Sequence, residues 1–498
     1  MEMMEQQNKQ KSSVLEQNTI FFLRVALLYG ICFAIAFYKN YVGITFPIIT
    51  IVTLVGCGLF LKKSEIAWKA QNLFFVISII LLGISTMLTT NTFIVFFNSI
   101  GILLLLTVFM LQQIYPDNKW NLIKYIRNII LLYLTMISQI AVPFLNWNKY
   151  RQEKRERKQK NPNTKYIVQG ILIGLPMLVL VIALLSSADA VFGKYIGESF
   201  QVVLNNIYPN PNKNGLVLVG LIILGFMGIY TFLSVLDYND MSTPPTKKEK
   251  KNPITAITFI TMITVVYIIF SVIQIVCLFS GGMILPEGYT YAGYARQGFF
   301  QLLFLCIFNL MLVLCCMSVY ERNRLLKVLL MIFSGCTYIM IASSAYRMIL
   351  YISAFRLTFL RVLVLWFLAL LAVLMIGVMW NIRKENFALF RYGMVMVTVF
   401  YLALSFSHPD YWIAKYNIAM MEEELCYEDL SYLCSLSLDA APALAECHPK
   451  HTGKDYWCDA CVLERYFEKI EKGTSLNIRT FNLSKYQSLK AAEEYLGE

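Results

Sequence analysis

Apolar runs of about twenty residues recur from position 20 to 406, separated by short polar or charged stretches. A helix rises about 1.5 Å per residue, so about 20 apolar residues cross a hydrocarbon core of roughly 30 Å. The pattern predicts spans over 20–38, 43–61, 70–90, 92–111, 166–187, 214–236, 254–280, 297–320, 328–351, 357–380 and 390–407. No alternating strand pattern, Gly-rich phosphate loop, nucleophile elbow or tandem repeat interrupts it. The expected class is all-α: a polytopic membrane protein of about 11 (10–12) transmembrane helices with a small α-helical C-terminal extramembrane domain.

Segment 123–145 is ambiguous, and charge placement decides how it is taken. The loop 146–165 carries eight basic residues against Glu153 and Glu156, which marks it as cytoplasmic. Counting forward, the loops holding Lys247, Lys248, Lys250 and Lys251, then Arg322, Arg324 and Lys327, then Arg383, Lys384 and Arg391 fall on the same side. Counting backward, Lys62, Lys63 and Lys69 join them only if 123–145 does not cross. That segment starts Lys124-Tyr125-Ile126-Arg127-Asn128 and contains Gln139 and Pro143, so an interfacial or re-entrant helix is expected. The alternative is a twelfth crossing, which would put the N-terminus outside.

The expected organisation is a polar segment 1–19, a four-helix membrane region 20–111, an interfacial segment and basic loop 112–165, a seven-span membrane domain 166–407, and an extracytoplasmic tail 408–498. Residues 21–37 end in Tyr38-Lys39-Asn40 rather than a small-residue cleavage site, so they are taken as a retained span of a multi-pass cell-membrane protein. In the tail, Asp439 before Ala440-Ala441-Pro442 is expected to cap a helix, as is Asn482 or Ser484 before a final helix through Tyr495.

Composition supports this reading and removes one class of partner. Hydrophobic residues make up 58% of the 498 and charged residues 15%, which suits the lipid bilayer as main solvent. The net charge of +12 is unevenly spread: from His408 onward 9 Lys and Arg face 16 Asp and Glu, a net of −7, leaving +19 elsewhere. The positive charge thus belongs to membrane-flanking loops, and no nucleic-acid partner is expected.

Ionisable residues inside a membrane are costly and mark candidate sites. Arg296 opens the eighth span, Arg347 sits in the outer third of the ninth, and Arg356 and Arg361 flank the start of the tenth, with Asp189 and Glu287 at the same level. Gln297, Gln301 and Asn309 would form one stripe, and Ser343, Arg347 and Tyr351 another. These residues outline an outward-facing pocket for an anionic small molecule or a lipid headgroup, because guanidinium forks suit such groups. Snorkelling, or ion pairs with Asp189, Glu198 and Glu287, is the structural alternative.

The run Tyr291-Ala292-Gly293-Tyr294-Ala295-Arg296-Gln297-Gly298-Phe299-Phe300-Gln301-Leu302 resembles the signature of a bacterial membrane family, domain of unknown function 4173, related to 4153. Further matches follow in order: Ser187-Ala188-Asp189, Arg347-Met348, Leu357-Thr358 with Arg361, Pro409-Asp410, Ala414-Lys415-Tyr416-Asn417-Ile418, Asp429-Leu430-Ser431-Tyr432-Leu433 and Arg479-Thr480-Phe481-Asn482-Leu483-Ser484. The resemblance covers roughly 165–498 and implies a charged outer cluster and a tail that form one unit. It brings no activity with it, and it departs at His408, where an asparagine is expected.

Seven of twelve cysteines lie in spans, where free cysteine is a small packing residue. In the tail, Cys447, His451, Cys458 and Cys461 have zinc-ligand types but only one Cys-x2-Cys pair, so disulfides, zinc and free thiols all stay open. No cofactor is expected. The leading expectation is a transporter-like or sensing scaffold that binds an anionic or envelope-derived ligand. The alternatives are a membrane-embedded enzyme acting on a lipid-linked substrate, with Asp189 or Glu287 as base, and a partner-binding protein working through its acidic tail.

Overall fold

The computed structural model describes residues 13–116, 120, 122–153, 213–239, 241, 250–276, 299–384, 387–420, 427–447 and 459–497, with scattered positions between 174 and 194. Among the described residues there are helices and no strand, only one isolated bridge between Lys251 and Tyr320. Among the described residues ten helices are long and apolar enough to cross a membrane, and a bent pair would make eleven. The fold is that of a polytopic all-α membrane protein. The span expected over 166–187 lies outside the described residues apart from single positions.

The chain forms two compact units. The first comprises 1–87, 98–244 and 477–480. It holds α1 (Val14–Gln17), α2 (Thr19–Phe37), α3 (Thr45–Lys63), α4 (Leu73–Leu88), most of α5 (Thr92–Ile114), α6 (Leu122–Ser138), α7 (Val142–Glu153) and α8 (Lys213–Tyr238). Glycine lets two of its helices, α2 and α8, cross closely. A Cβ on Gly30 of α2 would meet the Ile222 carbonyl of α8 at 2.5 Å, and one on Gly225 of α8 would meet Phe33 Cβ at 2.7 Å. Small residues serve this purpose in membranes, where close van der Waals packing rather than hydrophobic expulsion joins helices.

Ambiguous segment 123–145 is neither a straight span nor one surface helix. Lys124–Ser138 and Val142–Gln152 are bent 57° apart. On α6, Tyr125 and Leu132 are buried while Ile130, Leu134 and Ile137 are exposed, so the helix has a lipid-suited face. Tyr133 Oη pairs with Thr107 Oγ1 at 2.9 Å. Near the ends of this unit's helices, Asp237 accepts from Ser13 Oγ at 2.5 Å and from Leu15 N–H at 2.9 Å. Arg479 donates to the Ile35 and Tyr38 carbonyls at the end of α2.

The second unit comprises 88–97, 245–476 and 481–498. Its membrane helices are α9 (Pro253–Gln274), α10 (Phe299–Val319), α11 (Arg324–Phe355), α12 (Phe359–Arg383) and α13 (Leu389–Phe406). Local signals start them: Asn252 accepts from Ile254 N–H ahead of Pro253, and Asn323 accepts from Leu325 N–H. The 32 residues of α11 reach about 48 Å, longer than a bilayer core, so this helix must tilt or protrude. The bundle core stacks Tyr267 on Phe333, with Tyr267 Oη donating to Asn309 Oδ1 at 3.0 Å and Asn309 donating to Thr337 Oγ1 at 3.1 Å.

The tail is helical, as expected: α14 (Pro409–Ala419), α15 (Tyr427–Cys434), α16 (Ala441–Ala445), α17 (Asp459–Gly473) and α18 (Leu483–Leu496). Phe467, Leu463, Leu444 and Ala492 fill its core, and Leu357, Phe359 and Val362 of the membrane part pack against it. Asn417 bridges the break between α11 and α12, accepting from Leu357 N–H and donating to Leu357 O, both at 2.8 Å. Asn482 caps α18 through Lys485 N–H, as its place in the sequence suggests.

Candidate functional site

The sequence-predicted arginines divide. Arg296 and Glu287 lie outside the described residues. Arg347 is 7% exposed within the α9–α11 packing. Its Nη2 donates to Gln274 Oε1 at 3.3 Å, which also accepts from Ser343 Oγ at 2.6 Å. Arg361 donates through Nη1 to the carbonyls of Phe355, at 2.6 Å, and Arg356, so it caps the C-terminal end of α11. Its guanidinium also lies 4.3 Å from the centre of the Tyr351 ring. Arg356 is the residue where α11 ends, with a left-handed φ of 69°. Asp189 belongs to the first unit, is exposed, and accepts from Phe192 N–H at 2.9 Å.

One expected stripe fails. Asn309 is fully buried and Gln301 is exposed. Eight residues overshoot two turns by about 0.8 residue, roughly 80° of rotation, which is enough to move Gln301 off the face that Asn309 occupies. Ser343 and Arg347 do share the buried face, and Tyr351 is half-buried. In the tail, Cys447 is buried and Cys434 is a half-buried thiol, which burial pushes up to about 11. His451 and Cys458 lie outside the described residues, and the Cys461 side chain is not described. Among the described residues no group of three His, Cys, Asp or Glu could hold a metal.

A second polar constellation forms where the last span meets the tail. Asp439 does not cap a helix. It sits in a short 3-10 turn, 5% exposed, and its carboxylate accepts from Thr89 Oγ1 and Ser484 Oγ at 2.5 Å, Thr90 N–H at 2.9 Å, Thr90 Oγ1 at 3.0 Å and His408 Nδ1 at 3.4 Å. A helix cap would satisfy one or two backbone N–H groups, whereas this arrangement satisfies four side chains and a backbone amide around one buried charge. Asp410, 2% exposed, accepts from Asn91 Nδ2 at 2.8 Å and from Ser437 Oγ at 2.5 Å. Asn91 has two tasks, because its Oδ1 also caps α5 through Ile94 N–H.

The two carboxylates are pushed apart. Burial would raise Asp439, but the bonds from His408, Ser484, Thr89 and Thr90 outweigh it and hold the carboxyl below its usual value. For Asp410 burial wins over the bonds from Ser437 and Asn91, and the nearby Asp439 charge adds to it, so the carboxyl lies above its usual value. The bond to Asp439 raises His408 despite partial burial. His408 occupies a left-handed conformation, φ 46° and ψ 60°, immediately before the proline that starts α14. Such a conformation is uncommon for a residue other than glycine.

Beside this hub lies an open cavity of about 990 Å³. The end of α13 contributes Phe406. His408 and Asp439 line it from the hub, and Tyr411 and Trp412 from α14. Ala445 and Glu446 come from the end of α16, and Gln487, Lys490, Glu494 and Tyr495 from α18. Sequence reasoning missed it. The available signals were the Pro409-Asp410 and Asn482-Leu483-Ser484 matches and the polar Thr89-Thr90-Asn91 run between two spans, none of which shows its partners locally.

The fold and this cavity define a polytopic α-helical membrane protein with a ligand-sized void at the foot of its tail. The family model for "Domain of unknown function (DUF4153)" matches residues 76–447, and the chain belongs to that family, the relative of family 4173, whose signature its motifs resemble. No curated protein and no solved structure matches the chain.

Proposed function

We propose that this chain is a non-enzymatic ligand-binding membrane protein, a transporter-like or sensing scaffold, that engages an envelope-derived amphiphile at the foot of its tail. The supporting observation is the cavity of about 990 Å³ that begins at Phe406, where the last span ends. Such a position lies at the bilayer interface, where tryptophan and tyrosine concentrate, and Trp412 there is 58% exposed. The alternating basic loops support an extracytoplasmic placement of this end of the molecule.

Native mass spectrometry of the full-length protein, released from nanodiscs of mixed phosphatidylethanolamine and phosphatidylglycerol, tests the reading. The wild type should retain one phospholipid under activation that strips boundary lipid. Ala445→Trp, which fills the cavity, should lose it. Equal retention by both proteins would exclude the cavity as a lipid site.

Arg347 favours a second reading, an anion site within the membrane bundle. A buried arginine in a membrane helix is costly and commonly functional. Arg347→Gln should then abolish cellular function while leaving the phospholipid adduct intact. The enzyme reading requires that Asp189→Asn or Glu287→Gln abolish function. The partner-binding reading requires that deleting 408–498 do so with the membrane part intact.

A further inference from the structure

We infer that the cavity at the foot of the tail selects a zwitterionic phospholipid headgroup, with phosphate and ammonium side by side. This inference rests on the lipid-binding reading of the same cavity and names its ligand class. The wall carries both signs of charge. Lys490 and His408 supply cationic groups, Glu446 and Glu494 supply carboxylates, and no arginine is among the described lining residues. A headgroup with only negative charge would face the carboxylates, and one with only positive charge would face Lys490. A phosphate next to an ammonium answers both.

Four further features agree. Asp439 is already surrounded by donors, so the carboxylates offered to a ligand are Glu446 and Glu494, both exposed. The Lys490–Glu494 pair, 3.6 Å apart on one helix face, is about two-thirds exposed at both ends, so it holds weakly and both partners can turn to a headgroup. Tyr411, Trp412 and Tyr495 provide aromatic faces, which attract an ammonium group within about 6 Å. The apolar end of the cavity at Phe406 lets the acyl chains stay in the bilayer.

The test uses the full-length protein in nanodiscs of equimolar phosphatidylethanolamine and phosphatidylglycerol, with the retained lipid identified by mass. The wild type should hold phosphatidylethanolamine at least threefold over phosphatidylglycerol. Glu446→Gln with Glu494→Gln, both surface changes, should bring the ratio towards one while an adduct persists. Gln487→Trp, which blocks the cavity from α18, should remove the adduct and provides an occluding change independent of Ala445→Trp.

A wild-type ratio of one or below, or a ratio unmoved by the two glutamate changes, overturns the zwitterionic class and leaves lipid binding standing. An adduct that survives both tryptophan variants overturns the lipid-binding reading itself.

Discussion

Two regions of the second unit show how a membrane protein handles charge in opposite ways. Around α11, cationic groups are spread along the chain: Arg361 is met locally, and Arg347 by a side chain of the neighbouring helix α9. Arg361 takes the carbonyls at the helix end and the face of Tyr351, and Arg347 shares a glutamine side chain with Ser343. At the foot of the tail, two carboxylates are gathered, and their donors come from segments more than 300 positions apart, Thr89 to Asn91 on one side and His408, Ser437 and Ser484 on the other. A guanidinium is long and can reach the nearest helix end. A short carboxylate must have its donors brought to it. The second arrangement therefore depends on the whole fold and leaves a cavity beside it.

The largest test of this contrast is Asp439→Ala. It leaves the Thr89, Thr90 and Ser484 donors buried without their acceptor and should cost about 3–5 kcal/mol, in the range for breaking a buried charged network. Hydrogen exchange should then rise across α18 and the start of α5 together. A change confined to α18 would mean that the hub does not tie these segments.

Arg361→Leu should cost less, about 1.5–3 kcal/mol, because charge-assisted bonds to two carbonyls and the contact with the Tyr351 ring are lost at a half-buried position. Its signature is local: faster exchange at the end of α11, with the lipid adduct unchanged. Loss of the adduct would draw the arginine cluster into the ligand site and dissolve the contrast.

A smaller effect depends on pH. His408 is raised in the folded protein, so the stabilisation from its pairing with Asp439 is fully present below about 6.5 and is lost as pH rises through the folded value. Asp439 is lowered, so its contribution is present above about 3.9 and is lost as pH falls through its folded value. Melting temperature should decline on the alkaline side of 6.5, and His408→Asn should flatten that decline. Asparagine tolerates a left-handed backbone, so the substitution separates the charge from the conformation. An unchanged alkaline slope in the variant would assign the decline to other groups.

Much of the architecture was legible because each span carries its own instruction. Some twenty apolar residues and a capping asparagine suffice for α9, and Asn482 before α18 is legible in the same way. The segment around α6 was harder, since its 57° break depends on packing that neither hydropathy nor Pro143 fixes alone. Gln301 was misplaced because a count of eight residues ignores the drift of a 3.6-residue turn.

The sequence alone determined that this is an all-α membrane protein, which of its helices suit the bilayer, and where its arginines stand along them. Hydropathy, period and caps are properties of neighbouring residues. Only the tertiary structure decided that Asp439 is an acceptor for a distant loop rather than a helix cap, and that His408 belongs beside it. It also decided that the void lies next to the carboxylates. Those facts depend on pairs of residues far apart in the chain, and no local pattern encodes which of many buried donors a single carboxylate will meet.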